Sequence, residues 1–213
     1  MYLHEHVALA EAYPLDFTIQ YPPRREYFQQ LFRDNINCIG FCDINEVLLY
    51  IHVPFCEAKC YFCNFAVDIR KNPDVHQRYT DLLCKQLRRL DEFLPDTITI
   101  PGIDIGGGTP TALNEKHLSQ LMHALKPWRR RCSNEHSISI ETTPRIAAAH
   151  SEKLAILANN GISRISMGVQ SVNADMLATV NRTRQENMTE QAMANMRLAG
   201  FRRINIDLIF ALP

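Results

Sequence analysis

Hydrophobic and polar positions follow two alternating periods along most of this chain. Short apolar runs of strand length are followed by longer segments whose apolar residues recur at helical spacing; this pair occurs four times, and a fifth apolar run follows. The predicted strands are Val47–Val53, about Gly102–Ile105, Ser137–Glu141, Ser163–Val169 and Arg203–Phe210. A strand followed by a helix, repeated in this way, predicts a parallel sheet covered by helices.

The helical segments carry their own start and stop signals. Asn72 and Pro73 supply a cap and a first-turn proline, Asn114 caps the next helix, and Gly161 and Gly200 end later ones. The predicted helices are Pro73–Leu94, Asn114–Leu125, Ser151–Asn160, Ala174–Val180 and Glu186–Leu198. Because right-handed crossovers curl such a sheet, we predict an α/β fold, a partial (β/α) barrel with parallel strands inside and helices outside. Active sites of such barrels lie at the carboxyl ends of the strands.

Residues 1–46 do not fit this alternation, and we interpret them as an N-terminal extension before a barrel at 47–213. A helix over 25–34 would place four aromatic and leucine side chains on one apolar face. Cys38 and Cys42 are separated by three residues, which is compatible with a second metal site. Since no histidine lies nearby to complete such a site, they are more typical of ordinary buried thiols.

Composition narrows the classes of function. The chain has 213 residues, of which 46% are hydrophobic, so it can bury a real core. Its 23 basic and 23 acidic residues give no net charge, and nothing in that balance indicates a nucleic acid or an anionic membrane as partner. No apolar run approaches the roughly 20 residues of a membrane span, and the N-terminus lacks a signal-peptide core. The seven cysteines fit a reducing compartment, so we expect a cytoplasmic protein.

Three cysteines follow the first predicted strand at C-x3-C-x2-C spacing, namely Cys56, Cys60 and Cys63. Iron–sulfur clusters are held by cysteine thiolates, usually four of them. Three ligands at this spacing would leave one iron of a [4Fe–4S] cluster open to a small molecule. The alternatives are buried apolar thiols or structural zinc. Zinc normally takes four ligands in two pairs, and no second pair follows, so the spacing favours the cluster.

Further polar motifs also fall where predicted strands end. Gly106–Thr109 follows the second strand, and a turn without side chains lets backbone groups approach a ligand closely. Glu141 ends the third strand, where its carboxylate can accept two ribose hydroxyl hydrogens or favour a helix N-terminus. Arg164–Ser171, Asn181-Arg182 and Asn205–Pro213 accompany the fourth and fifth strands. Each motif alone is also consistent with a turn or with a polar residue satisfied by its neighbours.

As a set, and together with Leu49–Cys56, these motifs resemble the radical S-adenosylmethionine (SAM) superfamily. Over about residues 47–213 they resemble the oxygen-independent coproporphyrinogen III oxidases (coproporphyrinogen dehydrogenases) in particular. The resemblance implies a [4Fe–4S] cluster on Cys56, Cys60 and Cys63, with SAM on its open iron, and makes Tyr50 the candidate catalytic residue. The residues that it implies beside SAM are Tyr50, Phe62, Gly107, Gly108, Thr109, Glu141, Gln170, Arg182 and Asp207.

The resemblance also implies an activity. We expect a radical SAM oxidoreductase of porphyrin and heme biosynthesis, which cleaves SAM reductively to a 5′-deoxyadenosyl radical and decarboxylates coproporphyrinogen III. Its expected partners are a small-molecule substrate of the tetrapyrrole class and an electron donor such as flavodoxin or ferredoxin. Two features depart from that family. Phe65 stands where the dehydrogenases have a fourth cysteine, and family members continue past the position of Pro213 with a further strand and a C-terminal domain, so we expect a truncated chain.

Two other functions stay open at this point. In having a phenylalanine at position 65, the chain resembles the heme-chaperone branch and the class C methyltransferases. The latter transfer a methyl or methylene group from a second SAM to an aromatic or porphyrin substrate. A non-catalytic heme carrier is the other alternative, with His52 as its tempting iron ligand. Because His52 lies inside the first predicted strand, we expect a packed and hydrogen-bonded histidine instead. No metal-ligand spacing is evident among His4, His6, His76, His117, His123, His136 and His150.

Overall fold

The computed structural model describes residues 45–133, 138–182 and 188–212. The predicted helix over 25–34, Cys38, Cys42 and nearly all of the predicted extension lie outside these ranges. The strands are β1 Leu49–Val53, β2 Ile103–Gly107, β3 Ile138–Thr142, β4 Arg164–Gln170 and β5 Arg203–Leu208. The helices are α1 Pro73–Phe93, α2 Glu115–Ala124, α3 Lys126–Arg131, α4 Pro144–Ala149, α5 Ser151–Asn159, α6 Ala174–Thr179 and α7 Met188–Leu198.

The five strands form one sheet in the order β1-β2-β3-β4-β5, and every neighbouring pair is parallel. Sequential order with parallel neighbours requires a crossover between each pair of strands, and helices supply these crossovers. The carboxyl ends of all five strands therefore meet at the same edge of the sheet. This arrangement confirms the predicted α/β fold of the partial-barrel type.

The helices between β2 and β4 differ from the prediction. The helix that Asn114 caps ends at Ala124, and α3 follows as a separate short helix. Pro127 explains the break because proline has no N–H to donate to the preceding turn. Helix α4 was not predicted at all; Thr143 caps it by accepting from the Ile146 N–H at 3.4 Å, and a proline occupies its first turn.

The strand ends also differ slightly from the prediction. β2 continues to Gly107, two residues further than predicted, since Gly106 and Gly107 pair with His52 and Val53 of β1. β5 ends at Leu208 instead of Phe210. The first two glycines of the triplet therefore belong to the strand, and the turn begins at Gly108.

The two faces of the sheet have different chemistry. One face packs beneath the helices, and its side chains are at most 2% exposed: Ile51, Val53, Ile103, Ile105, Ile140, Ile165, Met167 and Val169. The opposite face carries the alternate positions, which are mostly polar: Tyr50, His52, Asp104, Glu141, Ser166, Asn205 and Asp207. Several of these polar residues, including His52, Glu141 and Asp207, lie near the carboxyl ends of their strands. Among the helices that the structure describes, none has the length and apolar character to cross a membrane.

Candidate functional site

The three predicted ligand cysteines lie on a loop that is closed at its base. Phe55, just after β1, pairs with Asp68, and the Cys56 N–H donates to Asp68 O at 3.0 Å. The Asp68 N–H donates back to Pro54 O at 2.7 Å. Phe55 is 2% exposed and contacts the ring of Tyr79 edge-on, with ring centroids 5.2 Å apart. Residues 56–67 therefore form a loop whose base is closed beside the buried Phe55 at the carboxyl edge of the sheet.

The thiols of this loop are free and lie close to one another. Cys56, Cys60 and Cys63 are all half-buried, and the Cys63 N–H donates to Cys60 O at 3.1 Å, which closes a tight turn. Burial raises the pKa of Cys56, and the neighbouring Cys63 and Cys60 raise it further. As thiolates the three would repel one another, and a bound metal cluster would relieve that repulsion. The structure thus brings together the three residues that the spacing singled out.

The glycine turn after β2 is joined directly to the start of the cysteine loop. The Gly108 N–H donates to Val53 O at 2.9 Å, and the Thr109 N–H donates to Phe55 O at 2.7 Å. A Cβ at position 108 would lie 2.6 Å from the carbonyl carbon of Pro54. Thr109 Oγ1 lies 3.5 Å from Cys56 Sγ. The turn and the first thiol are therefore held as one unit, and its packing leaves no space for a side chain at Gly108.

Glu141 is the ionisable group whose environment changes its chemistry most clearly. Burial raises its pKa to about 7, opposed by the Gly107 N–H that donates to the carboxylate, while the charges of Asp207 and Asp104 raise the pKa as well. Gly107 has φ 108°, a conformation that favours glycine. A Cβ at Gly106 would lie 2.7 Å from Glu141 Oε1. Glu141 therefore lies tightly against the end of β2.

Tyr50 and Asp207 share this region with Glu141. Burial raises the pKa of Tyr50 to about 12, and the charges of Glu141 and Asp104 add to the effect. Asp104 was not among the predicted site residues. Its position could have indicated it, because it stands two residues before Gly106 and so shares that residue's face of β2. The polar face of the sheet thus places the predicted Glu141 and the unpredicted Asp104 near Tyr50, and Asp207 near Glu141.

Gln170 and Arg182 meet over the end of β4. Gln170 has φ 68° at a bulge in the pairing with β5. A Cβ on Gly168 would lie 2.9 Å from Gln170 Nε2 and 3.2 Å from Arg182 Nη2. Arg182 donates from Nη1 to Cys60 Sγ at 3.5 Å and from Nη2 to Gly168 O. Its Nε is buried and has no partner within the described residues, so this guanidinium keeps a donor for a ligand.

Phe62 is the last predicted site residue, and His52 is the histidine considered for the heme-carrier alternative. His52 Nε2 donates to Ala66 O at 2.9 Å, and the His52 carbonyl accepts from the Tyr79 hydroxyl at 2.6 Å. These bonds match the expectation of a packed histidine and leave its Nε2 engaged. Phe62 lies half-buried between the second and third cysteines of the loop.

Replacing Glu141 with glutamine is expected to change how stability depends on pH. The folded pKa of Glu141 is about 7 against an ordinary 4.5, so between these values the folded chain holds a proton that the unfolded chain has lost. Stability from this group therefore falls as pH rises through that window, by up to about 3 kcal/mol. Urea unfolding at both ends of the window measures how the free energy of unfolding changes with pH. The variant Glu141→Gln should no longer show the decrease in stability. Glu190→Gln, on the exposed side of α7, should keep it; equal slopes in all three proteins would contradict the assignment.

Comparison with known proteins places these observations in a family. Residues 50–213 match the sequence profile of the radical SAM superfamily. The oxygen-independent coproporphyrinogen III oxidase of Salmonella typhimurium is 34% identical over 165 residues, which are 78% of this chain and 35% of that protein. The heme chaperone HemW of Bacillus subtilis is 33% identical over 170 residues, which are 77% of this chain and 42% of that protein. The chain spans less than half the length of either relative.

A solved structure agrees with the sequence comparisons. Coproporphyrinogen III oxidase (HemN) from Escherichia coli, described as a radical SAM enzyme, matches with a TM-score of 0.68 and 34% identity. The match covers 79% of this chain and 38% of HemN. At this identity the likeness extends to sequence as well as fold, and it covers the part of the chain that contains the cysteine loop.

Proposed function

The chain belongs to the radical SAM superfamily, and on that basis we propose that Cys56, Cys60 and Cys63 bind a [4Fe–4S] cluster beside a SAM site. The observation that carries this proposal is a convergence at one edge of the sheet. Three free thiols, a glycine turn without space for side chains and an arginine with an unpartnered buried N–H come together there, although they are distant in sequence.

The chemistry of these residues fits both groups. Three thiolates supply the ligand type that iron–sulfur clusters require, and they leave one iron for SAM. Gly107 at the end of β2 and Gly108 at the start of the turn add no side chains there, so backbone groups can approach a small molecule. The Arg182 fork suits the carboxylate of an amino acid, because a planar guanidinium binds carboxylates with two hydrogen bonds. Its orphaned Nε is the donor that such a carboxylate would satisfy.

The other predicted residues have roles that follow from their positions. Glu141 would accept the two ribose hydroxyls of SAM once it is deprotonated, and its pKa of about 7 makes this contact sensitive to pH near neutrality. Tyr50 would flank the cofactor from β1, and Thr109 would hold the Cys56 sulfur through its hydroxyl. Gln170 and Asp207 would line the ends of β4 and β5, with Phe62 on the loop itself.

We infer oxidative decarboxylation of coproporphyrinogen III, a tetrapyrrole of porphyrin and heme biosynthesis, as the reaction. Bound here, the cluster and SAM would supply a 5′-deoxyadenosyl radical by one-electron reduction from a donor such as flavodoxin or ferredoxin. A substrate propionate would lose one hydrogen atom to that radical, and release of carbon dioxide with transfer of one electron to a separate one-electron acceptor would leave a vinyl group. Support for this substrate comes from the names of the two coproporphyrinogen oxidase relatives. The free thiols fit a reducing cytoplasm.

Anaerobic reconstitution with iron and sulfide, followed by SAM, dithionite and coproporphyrinogen III, tests the proposal. We expect 5′-deoxyadenosine and carbon dioxide to form together, because each hydrogen abstraction leads to one decarboxylation. The same assay with Cys63→Ala, which lacks one ligand, should yield neither product. Formation of 5′-deoxyadenosine without carbon dioxide would retain the radical SAM assignment and overturn the substrate.

A heme carrier is the second candidate, and the likeness to HemW favours it. Heme titration followed by absorbance would distinguish it, since a carrier binds heme without consuming SAM. The hydrogen bond from His52 to Ala66 O argues against that histidine as the iron ligand. A class C methyltransferase is favoured only by Phe65, which is 57% exposed on the cysteine loop. Methylated product together with S-adenosylhomocysteine would identify that activity.

A further inference from the structure

Three successive residues after α6 are hydrogen-bonded to three successive residues of the cysteine loop. Residues 180–182, which we call the loop clamp, each make one hydrogen bond to residues 59–61. The bonds run from the Tyr61 N–H to Val180 O at 3.0 Å, from Asn181 Nδ2 to Lys59 O at 2.9 Å, and from Arg182 Nη1 to Cys60 Sγ at 3.5 Å. The clamp therefore joins parts of the chain that are about 120 residues apart, and all three bonds surround Cys60.

The clamp is itself held in shape. Val180 is only 2% exposed, and the Arg182 N–H donates to Leu177 O at 2.9 Å, which ties the segment to the end of α6. Asn181 has φ 55°, in the left-handed region that asparagine enters more readily than most residues. This backbone conformation directs the segment against the loop.

Two of the clamp's hydrogen bonds hold the two peptide units on either side of Cys60. Lys59 O belongs to the peptide unit that precedes Cys60, and the Tyr61 N–H belongs to the unit that follows it. Each peptide unit is planar, so fixing both of them restricts the backbone dihedral angles of Cys60. Packing of the neighbouring side chains contributes little to holding this part of the loop, because Tyr61 is 76% exposed and Lys59 is also exposed.

We propose that Asn181 is a positioning residue that holds Cys60 in the conformation in which it binds iron. The role toward iron rests on the proposed function, whereas the hydrogen bonds do not. The Asn181 amide fixes the peptide before Cys60, and Arg182 donates to the thiol itself. Hydrogen bonds to cluster sulfurs also influence the reduction potential, so the clamp reaches both the backbone and the sulfur of one ligand.

Hydrogen exchange of the Tyr61 amide in the cluster-free chain tests the clamp without any turnover. Asn181→Gly is the informative variant, since glycine adopts the same backbone angle and only the amide is lost. We expect Tyr61 exchange to be about five times faster, as for the loss of one supporting hydrogen bond. After reconstitution, iron release to a chelator should be faster by a similar factor. Lys59→Ala keeps the carbonyl that the clamp binds and should leave both rates unchanged.

The outcomes separate the clamp from the function on which its role rests. Equal Tyr61 exchange in Asn181→Gly and the unchanged chain would overturn the clamp. Faster exchange with unaltered iron release would overturn its role for Cys60. If the unchanged chain assembles no cluster, the proposed function and the role toward iron both fail, while the exchange rates still decide whether Asn181 holds the loop.

Discussion

Substitution of Cys56, Cys60 or Cys63 by alanine is expected to reduce bound iron from about four atoms per chain to less than about one. Each of these thiols is free and half-buried, and the charges of Cys60 and Cys63 raise the pKa of Cys56. A cluster that already has an open iron loses a second protein ligand in such a variant, so assembly fails instead of weakening gradually. Iron and sulfide analysis after anaerobic reconstitution, with the absorbance of the cluster as a second readout, measures this effect.

Two other cysteines provide matched controls. Cys84 is buried on α1 with 1% exposure, and Cys132 follows α3. Neither lies on the loop that carries the three thiols. Cys84→Ala and Cys132→Ala should therefore retain the full iron content, apart from a modest loss of stability at the buried position. Equal loss of iron in both groups of variants would contradict the ligand assignment.

The sequence was sufficient to predict the sheet because its signals are local and repeated. Each of the first four strands is a short apolar run with a helical segment after it, and four repeats of that pattern before a fifth strand leave few topologies. The site could be located for a related reason. Glu141 and the glycine turn lie at the carboxyl ends of β3 and β2, and parallel strands bring such positions to one edge. Their approach to each other in the structure is a consequence of that topology.

What the sequence could not predict depends on tertiary contacts. Helix α4 is six residues long, too short for a periodic signal, and its cap and proline follow β3 directly. No local signal indicated the role of Asn181, because its hydrogen-bond partner lies at position 59. The face of β2 on which Asp104 lies could be read from the sequence, but only the structure shows that its charge acts on Tyr50 and Glu141.

Replacement of Gly108 by alanine is expected to lower the rate of 5′-deoxyadenosine formation by about a hundredfold or more. The added Cβ would lie 2.6 Å from Pro54 C and 2.8 Å from Phe55 O. These are backbone atoms at the base of the cysteine loop, so they cannot rotate away, and the turn and the loop must separate. A displacement of about 1 Å at reacting groups typically costs this much in rate.

Gly106→Ala is the matched comparison, because it adds the same methyl group two residues earlier. There the Cβ would lie 2.7 Å from Glu141 Oε1, the end of a side chain that can turn. We therefore expect Gly106→Ala to retain its iron and to bind SAM about tenfold more weakly, as for the loss of a hydrogen bond to a charged group. Gly108→Ala should instead lose catalysis through displacement of the loop that carries Cys56. If both variants cleave SAM at the unaltered rate, the glycine turn does not contact the cofactor.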